Sequence, residues 1–247
     1  RGLGDVYKRQ VLALEEILAA TKSMVFFGGA GVSTESGIPD FRSVDGLYHQ
    51  KFKYPPETML SHTFYETHTA EFFDFYRQKL IVHGAKPNAA HLRLAKLERE
   101  GRLKAVVTQN IDGLHQAAGS RTVYELHGST LRNYCTRCGK FYDVDFIANS
   151  TGVPRCTECG GIVKPDVVLY EEGLDEEVLS GAVNAIRHAD TLIIGGTSLV
   201  VYPAAGLIRY FRGRHLVVIN MQPTGADASA DLCIACLLYT SPSPRDT

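Results

Sequence analysis

The sequence lacks long apolar runs, an excess of either charge, and the cysteine density of a disulfide-bonded scaffold. Its 247 residues include 26 lysines and arginines and 27 acidic residues, for a formal net charge of −1. The basic residues are dispersed, so we expect no direct binding to nucleic acid or to a membrane surface. No apolar stretch approaches the roughly 20 residues of a membrane helix, and no signal-like leader is present. These absences predict a cytoplasmic protein.

Four of the six cysteines form two Cys-x-x-Cys pairs, Cys135 with Cys138 and Cys156 with Cys159, with 17 residues between the pairs. Two such turns bring four thiolates to one ion and leave no open position, which predicts a structural Zn²⁺. Two disulfides or an iron–sulfur cluster are the alternatives. A zinc ribbon is also typical of modules that bind nucleic acid or proteins, so an interaction module is a rival class of function.

The chain is 45% hydrophobic and alternates apolar runs with helical patterns. We expect strands at residues 24–27, 105–108, 122–126, 167–170, 191–194 and 215–219, and helices at 12–21, 69–80, 89–100, 176–188 and 204–212. This alternation implies a parallel sheet covered on both faces. The predicted fold is therefore α/β, a Rossmann-like doubly wound sheet (residues 11–42, 86–131 and 162–235) with a smaller domain inserted (helical part 43–85, zinc module 132–161).

A glycine-rich loop, GAGVST at residues 29–34, follows the first predicted strand. Such a loop before a helix can cradle a phosphate through backbone N–H groups. It only approximates the dinucleotide fingerprint, because Thr34 replaces the third glycine, and alone it is nearly as typical of a plain tight turn. The continuation IPDFR adds an aromatic residue and an arginine, Phe41 and Arg42, that could cover one end of a cofactor.

Three further strand ends carry polar clusters: TQNID at residues 108–112, LHG at 126–128 and GGTS at 195–198. In open α/β sheets, ligands bind beyond the carboxyl ends of the strands, so we expect these clusters and the glycine loop to share one crevice. A lone histidine is more often a packing residue, but the position of His127 between a strand and a glycine favours catalysis. Near neutral pH an imidazole is well suited to take a proton from a sugar hydroxyl.

Together these motifs resemble the sirtuins, the NAD-dependent protein deacylases, and specifically their bacterial and archaeal type. The matching stretches are GAGVSTESGIPDFR, KPNAAH, TQNIDGLH, ELHGS, the four cysteines, KPDVVLYEE, GTSLVVYPAA and IN. They occur in the family's order and span nearly all of residues 11–235.

The resemblance implies an NAD-dependent protein lysine deacetylase in which NAD is consumed as a co-substrate. The acyl oxygen of the acylated lysine would attack the ribose carbon as nicotinamide leaves, and His127 would activate a ribose hydroxyl as general base. The products would be deacetylated lysine, nicotinamide and O-acetyl-ADP-ribose. A mono-ADP-ribosyltransferase and a non-catalytic NAD or zinc-ribbon interaction module are the alternatives. The presence of both Asn110 and His127, the two implied catalytic residues, argues against the non-catalytic one.

The family's binding residues carry over by motif. Those implied to contact NAD are Gly29, Ala30, Gly31, Thr34, Asp40, Phe41 and Arg42 near the phosphates and nicotinamide ribose, Gln109, Asn110, Ile111, Asp112 and His127 at the nicotinamide, and Gly196, Thr197, Ser198, Asn220 and Met221 at the adenosine half. Asp112 would recognise the carboxamide.

The partners implied are acetylated-lysine proteins, whose segment would bind as an added strand along Val168, Leu169 and Tyr170, with the Val168 carbonyl accepting the acyl-lysine amide. Where many relatives have Phe-Gly-Glu, this chain has Tyr-Glu-Glu from Tyr170 onward, which makes the tunnel mouth more polar.

The acyl group that the protein prefers can be predicted from a pair of residues that this sequence lacks. Relatives that prefer succinyl groups resemble one another in a Tyr-x-x-Arg pair that grips the distal carboxylate. In ungapped register the two positions here are Phe73 and Tyr76, and the shifted match of Tyr76 with Lys79 lacks the guanidinium fork. We therefore expect deacetylation to exceed desuccinylation.

The two ends resemble one sequence read on opposite DNA strands. Written as CGT GGG CTC GGA GAT GTG TAT AAG AGA CAG, the codons for residues 1–10 have a reverse complement that, read one base in, encodes CLLYTSPSPR, the sequence of residues 236–245. We expect residues 1–10 and 236–247 to derive from an adapter of the kind used in transposase-based sequencing libraries. The alternative is a polar arm and a Ser/Pro-rich tail.

Overall fold

The computed structural model describes residues 3–40, 51–236 and 238. The strands are β1 (Met24–Gly28), β2 (Leu103–Thr108), β3 (Val123–Glu125), β4 (Gly128–Cys135), β5 (Phe141–Tyr142), β6 (Val163–Val167), β7 (Thr191–Gly195), β8 (His215–Ile219) and β9 (Leu232–Ile234). The α-helices are α1 (Leu3–Ala20), α2 (Pro56–Met59), α3 (His62–Thr67), α4 (Thr69–Lys79), α5 (Ala89–Arg99), α6 (Leu114–Ala117), α7 (Val144–Ala148) and α8 (Glu176–His188).

Six strands form one parallel sheet in the order β3-β2-β1-β7-β8-β9. The chain builds outward from β1 through β2 to β3, returns to the other side of β1 with β7, and continues to β9. The direction of building therefore reverses between β1 and β7. At such a switch point the two following loops diverge to opposite faces and leave a crevice.

Both faces of this sheet are covered, because alternate residues of each strand enter two different cores. On one face, Val25 and Phe27 of β1 pack with Ala182 and Ile186 of α8. On the other face, Met24 and Phe26 pack with residues of α5 and α1. Burial on both sides explains the uninterrupted apolar runs in the central strands, and it confirms the predicted doubly wound α/β class.

The smaller part of the molecule has its own sheet and core. Strands β5, β4 and β6 form an antiparallel sheet in that order. Its buried face packs against aromatic residues of α3 and α4, including Phe64, Phe72 and Tyr76, and two of the zinc-module cysteines, Cys135 and Cys156, belong to the same core cluster. The helical segment (43–85) and the zinc module (132–161) thus stabilise each other although residues 86–131 separate them in the sequence.

Four differences from the predicted elements are found. Residues 167–170 were expected to be a strand of the main sheet, but only Val167 lies in a strand, at the end of β6, which pairs antiparallel with β4. The segment Ala204–Tyr210 is a 3₁₀ helix, not an α-helix. Strand β9 was not predicted, because a strand of three residues is too short to show the alternation of apolar and polar residues that identifies a strand. The predicted helix 12–21 begins earlier, at Leu3.

Within the described segments, we found no helix with the length and apolar character needed to cross a bilayer. The adapter origin of the two ends stays a prediction.

One buried histidine stands out in the main core. His115 of α6 is 1% exposed, and its ring lies 4.9 Å from that of His91 and 6.5 Å from that of Phe26. Within the described part of the chain, neither ring nitrogen of His115 has a hydrogen-bond partner. Burial, reinforced by His91, lowers the pKa of His115 from its ordinary 6.5 to about 3.

We expect His115 to make the fold sensitive to acid. Below pH 6.5 the unfolded chain binds a proton that the folded chain takes up only near pH 3, so stability falls by about 1.4 kcal/mol per pH unit in that window. His115→Leu should flatten the dependence of Tm on pH between pH 6.5 and 4. The matched control His83→Leu, at an exposed site, should keep the original slope. An unchanged slope in His115→Leu would contradict the assignment.

Candidate active site

The predicted polar clusters meet at one edge of the parallel sheet. The backbone N–H of Gln109 donates to the carbonyl of Gly28 at 3.0 Å, and the N–H of Leu126 donates to Thr108 at 3.0 Å. Because β1, β2, β3 and β7 are parallel, the residues that follow them emerge side by side. The predicted clusters therefore lie side by side at this edge, among the described residues.

The loops after β1 and β7 pack backbone against backbone. Gly31 N–H donates to Gly196 O at 2.8 Å, and a Cβ on Gly31 would lie only 2.8 Å from Gly196 Cα. Gly196 has φ 60°, and a Cβ there would lie 2.6 Å from the amide nitrogen of Val32. Glycine is required at both positions for this contact. Since the Gly31 N–H is committed to Gly196, this glycine can face a phosphate through its Cα and not through its amide.

A chain of hydrogen bonds leads from the protein interior to Asp112. Asn88 N–H donates to His91 Nδ1 at 3.1 Å, so the ring proton of His91 is on Nε2, 3.4 Å from Ser33 Oγ. Ser33 Oγ in turn donates to Asp112 Oδ2 at 2.6 Å, and Asp112 Oδ1 accepts the Leu114 amide at 2.9 Å. The Asp112 carboxylate is therefore fixed at both oxygens, and each keeps a lone pair for a ligand.

Sequence reasoning missed Ser33 and His91 as members of this network. His91 is 0% exposed and Ser33 1% exposed. The expectation that a lone histidine is more often a packing residue fits His91 in part, since its buried side chain also forms a capping box with Asn88 at the start of α5. The available signal was the KPNAAH motif, which indicated family membership but no role for its histidine.

Gln109 and Asn110 join the loops around the crevice. Asn110 Nδ2 donates to Gly29 O at 2.9 Å and approaches Ser33 Oγ at 3.3 Å. Gln109 Oε1 accepts a hydrogen bond from the Thr197 hydroxyl at 2.8 Å. The side chains of these two residues therefore connect the loop after β2 with those after β1 and β7.

His127 is held in one tautomer. Its Nδ1 lies 3.0 Å from the backbone carbonyl of Gln109, and since a carbonyl can only accept, Nδ1 carries the proton and Nε2 presents a lone pair. Burial lowers the pKa of His127 below its ordinary value, although the bond to the Gln109 carbonyl acts in the opposite direction. The ring is half-buried and neutral at pH 7, as a general base must be.

The remaining predicted residues lie around these groups. Ile111 is half-buried and its carbonyl accepts the Thr130 amide at 3.0 Å. Ser198 is exposed and Met221 is 51% exposed, while the Asn220 amide donates to the Gln222 carbonyl at 2.9 Å. Ala30 and Thr34 each begin a short 3₁₀ helix and, like Asp40, are partly exposed. The predicted residues Phe41 and Arg42 lie outside the described residues.

The predicted substrate stretch has one backbone acceptor available. Leu169 N–H donates to Glu172 Oε1 at 2.7 Å and its carbonyl accepts the Glu172 amide at 3.0 Å. Tyr170 N–H donates to Leu60 O at 3.0 Å, and its carbonyl accepts the first amide of α3. In contrast, no hydrogen bond from a described residue reaches the Val168 carbonyl. The Val168 carbonyl is therefore available to a hydrogen-bond donor, whereas the amides of its two neighbours are not.

The four predicted cysteines converge. Their sulfur atoms all lie within 4.8 Å of one another, with Cys135 Sγ 3.4 Å from Cys159 Sγ and Cys138 Sγ 3.6 Å from Cys156 Sγ. These separations are too long for disulfides, and all four cysteines are free. Backbone amides and the hydroxyl of Tyr142 donate to the sulfurs, which stabilises thiolates. The donor set fits a closed, structural zinc site.

Comparison with known proteins finds relatives along nearly the whole chain. A sequence model of the Sir2 family matches residues 29–203. Proteins from Clostridium acetobutylicum and Clostridium perfringens, each named NAD-dependent protein deacetylase, are 64% and 65% identical over 225 and 224 residues, which cover 90% of this chain and 92% of each relative.

Solved structures agree with these relatives. A structure described as a basis for the mechanism and regulation of Sir2 enzymes is 41% identical, covers 95% of both chains and has a TM-score of 0.85. A Sir2 structure with a p53 peptide and NAD⁺ is 40% identical, covers 92% of this chain and 93% of its own, and has a TM-score of 0.81.

We expect one zinc ion per chain, bound by the four clustered cysteines. Replacing Cys135 and Cys156 together by alanine should remove the metal and lower Tm, because both side chains are also part of the small core. The control Cys233→Ser, at an exposed cysteine outside the cluster, should keep full zinc content. Elemental analysis of the purified proteins is the measurement. Zinc-free wild-type protein, or zinc retained in the double variant, would contradict the assignment.

Proposed function

The chain belongs to the Sir2 family of NAD-dependent protein deacetylases, and we propose that His127 is the general base of its reaction. The reaction converts an acetyl-lysine to lysine and produces nicotinamide and O-acetyl-ADP-ribose. The observation that carries the proposal is the fixed tautomer of His127, whose Nδ1 bonds to the Gln109 carbonyl. No described contact favours the ADP-ribosyltransferase or non-catalytic alternatives. The cytoplasmic location stays a prediction from the sequence.

The crevice suits NAD, which when bound supplies an electrophilic ribose carbon and nicotinamide as the leaving group. The Asp112 carboxylate fits the carboxamide of nicotinamide, because both of its oxygens are already oriented by Ser33 and Leu114 and still have lone pairs to accept an amide N–H. We propose that Thr197 and Asn220 hold the adenosine half.

The fixed network around Asp112 gives these groups a positioning role. Ser33 and His91 are buried, and the hydrogen bonds from His91 through Ser33 set the direction of the carboxylate. Asn110, which contacts both Gly29 and Ser33, links the nicotinamide side to the phosphate loop. Catalytic groups held by such packed, hydrogen-bonded neighbours keep their geometry without reorganising during the reaction.

His127 is connected to the substrate stretch as well as to the cofactor side. Its own carbonyl accepts the Val168 amide at 2.9 Å, so the base and the proposed acceptor of the acyl-lysine amide are neighbours in one hydrogen-bonded unit. His127 Nε2 would accept the proton of a ribose hydroxyl. Because burial holds the pKa of His127 below its ordinary value, the base is available at neutral pH without prior deprotonation.

We predict that His127→Ala reduces deacetylation at least the roughly 10²-fold typical of removing a general base, while NAD binding largely survives. The assay is mass spectrometry of an acetyl-lysine peptide incubated with and without NAD. His83→Ala, at an exposed site, is the matched control and should remain fully active. In the wild type, kcat/KM should fall on the acid side with a midpoint below pH 6.5. Full activity in His127→Ala would make this histidine a packing residue.

The side chains near the predicted acyl positions support a preference for small, uncharged acyl groups. Phe73 and Tyr76 are both 0% exposed and form part of an aromatic core. The Arg77 guanidinium is directed elsewhere, to Asp74 Oδ1 at 2.8 Å and to two groups beyond α7. Lys79 Nζ lies 5.4 Å above the ring of Phe52. Neither cation is therefore placed as the fork that a distal carboxylate requires.

We predict that kcat/KM for an acetyl-lysine peptide exceeds that for the succinyl form by at least about 10²-fold, because a buried unpaired carboxylate costs several kcal/mol. The two forms of one peptide are compared under identical conditions. Arg77→Lys should leave the ratio unchanged. Equal values, or a succinyl preference that Arg77→Lys removes, would show that a cation does reach the pocket.

A further inference from the structure

A cavity lies on the small domain beside the substrate stretch. Its volume is about 470 Å³, and Tyr54, Phe64 and Tyr170 contribute aromatic side chains to its lining. Tyr170 belongs to the stretch along which the acylated segment is proposed to bind. The cavity is thus positioned to receive a side chain of the same substrate, at a residue other than the acylated lysine, and its size is in the range of small-molecule sites.

The aromatic side chains of the lining are held in place by packing against one another and against His68. Phe64 is 3% exposed, its ring stacks on His68 with centroids 4.7 Å apart, and Tyr54 meets it edge-on at 5.4 Å. Lys53 Nζ lies 5.3 Å from the centre of the Tyr54 ring, a distance at which the negative potential above an aromatic ring attracts a cation.

Two carboxylates, those of Glu57 and Glu171, also line the cavity, whereas no lysine or arginine does so among the described residues. Glu171 has φ 77°, a left-handed conformation that glycine would adopt without strain. Its carboxylate is nevertheless ordered, since it accepts a hydrogen bond from the Thr63 hydroxyl at 2.5 Å. The charge lining the cavity is therefore negative.

We propose that this cavity is a specificity subsite for a lysine or arginine side chain close to the acetyl-lysine of the substrate protein. The proposal rests on the deacetylase function above. The stretch itself can supply little sequence preference, because the amides of Leu169 and Tyr170 are bonded within the chain. A cation in the cavity would pair with Glu57 and Glu171, which line it together with the aromatic side chains. Arginine suits such a site best, since its planar guanidinium both stacks and donates to carboxylates.

The test uses the full chain and a series of peptides. The parent peptide has one acetyl-lysine in an otherwise uncharged sequence, and in each other member a single arginine occupies one of the flanking positions. We expect arginine at one or two of these positions to raise kcat/KM about tenfold, mainly by lowering KM, and we expect high salt to reduce this gain. The double variant Glu57→Gln with Glu171→Gln should lose the gain, so that it processes the arginine peptides no better than the parent peptide. Glu177→Gln, at an exposed site on α8, is the matched control and should keep it.

A variant that reverses the charge of a lining residue provides a second test. Glu57→Lys should transfer the preference from arginine to aspartate at the same peptide position. Suppose that the parent peptide is deacetylated. If arginine then gives no gain at any position, or if the gain survives in the double variant, the proposed subsite is wrong and the proposed function stands. If the parent peptide is not deacetylated in the presence of NAD, it is the proposed function that fails.

Discussion

The backbone contact between the loops after β1 and β7 is the constraint on which the site depends. Gly31 and Gly196 meet so closely that neither has room for a Cβ atom, and a direct hydrogen bond joins them. This contact sits where the order of the sheet reverses, so it determines how wide the crevice can open at its base. The side chains of Gln109 and Asn110 bond to these two loops, and a side chain at either glycine would push the loops apart.

Gln109 connects these two loops to His127, the proposed general base. Its amide bonds to the end of β1, its carbonyl fixes the tautomer of His127, and its side chain accepts from Thr197 of the β7 loop. One residue thus couples three strand ends. These bonds couple the positions of the proposed base and of the loops proposed to hold the nicotinamide and adenosine ends of NAD, and such coupling is the preorganisation that electrostatic catalysis requires.

The small domain contributes the substrate side through a shared core. Helices α3 and α4 pack against the sheet that holds the cysteine cluster, and the same unit bonds the backbone of Tyr170 to the junction of α2 and α3. A zinc ion bound by the four cysteines would therefore act on the reaction indirectly, by stabilising the surface on which the peptide is proposed to bind. The comparison proteins, named as deacetylases, are similar over both parts of the molecule.

Features that depend on local interactions could be predicted from the sequence. The Cys-x-x-Cys spacing brings sulfurs together within one turn, buried runs such as that of β1 predict strands, and the order of motifs identified the family. Three features could be seen only in the folded molecule: the antiparallel pairing of β6, the hydrogen bond from the Gly31 amide to Gly196, and the contacts of Ser33 and His91 with each other and with Asp112. Each of these depends on residues far apart in the chain, and hydrogen bonds between them form only after strand order and packing are fixed, so neither periodicity nor spacing can encode them.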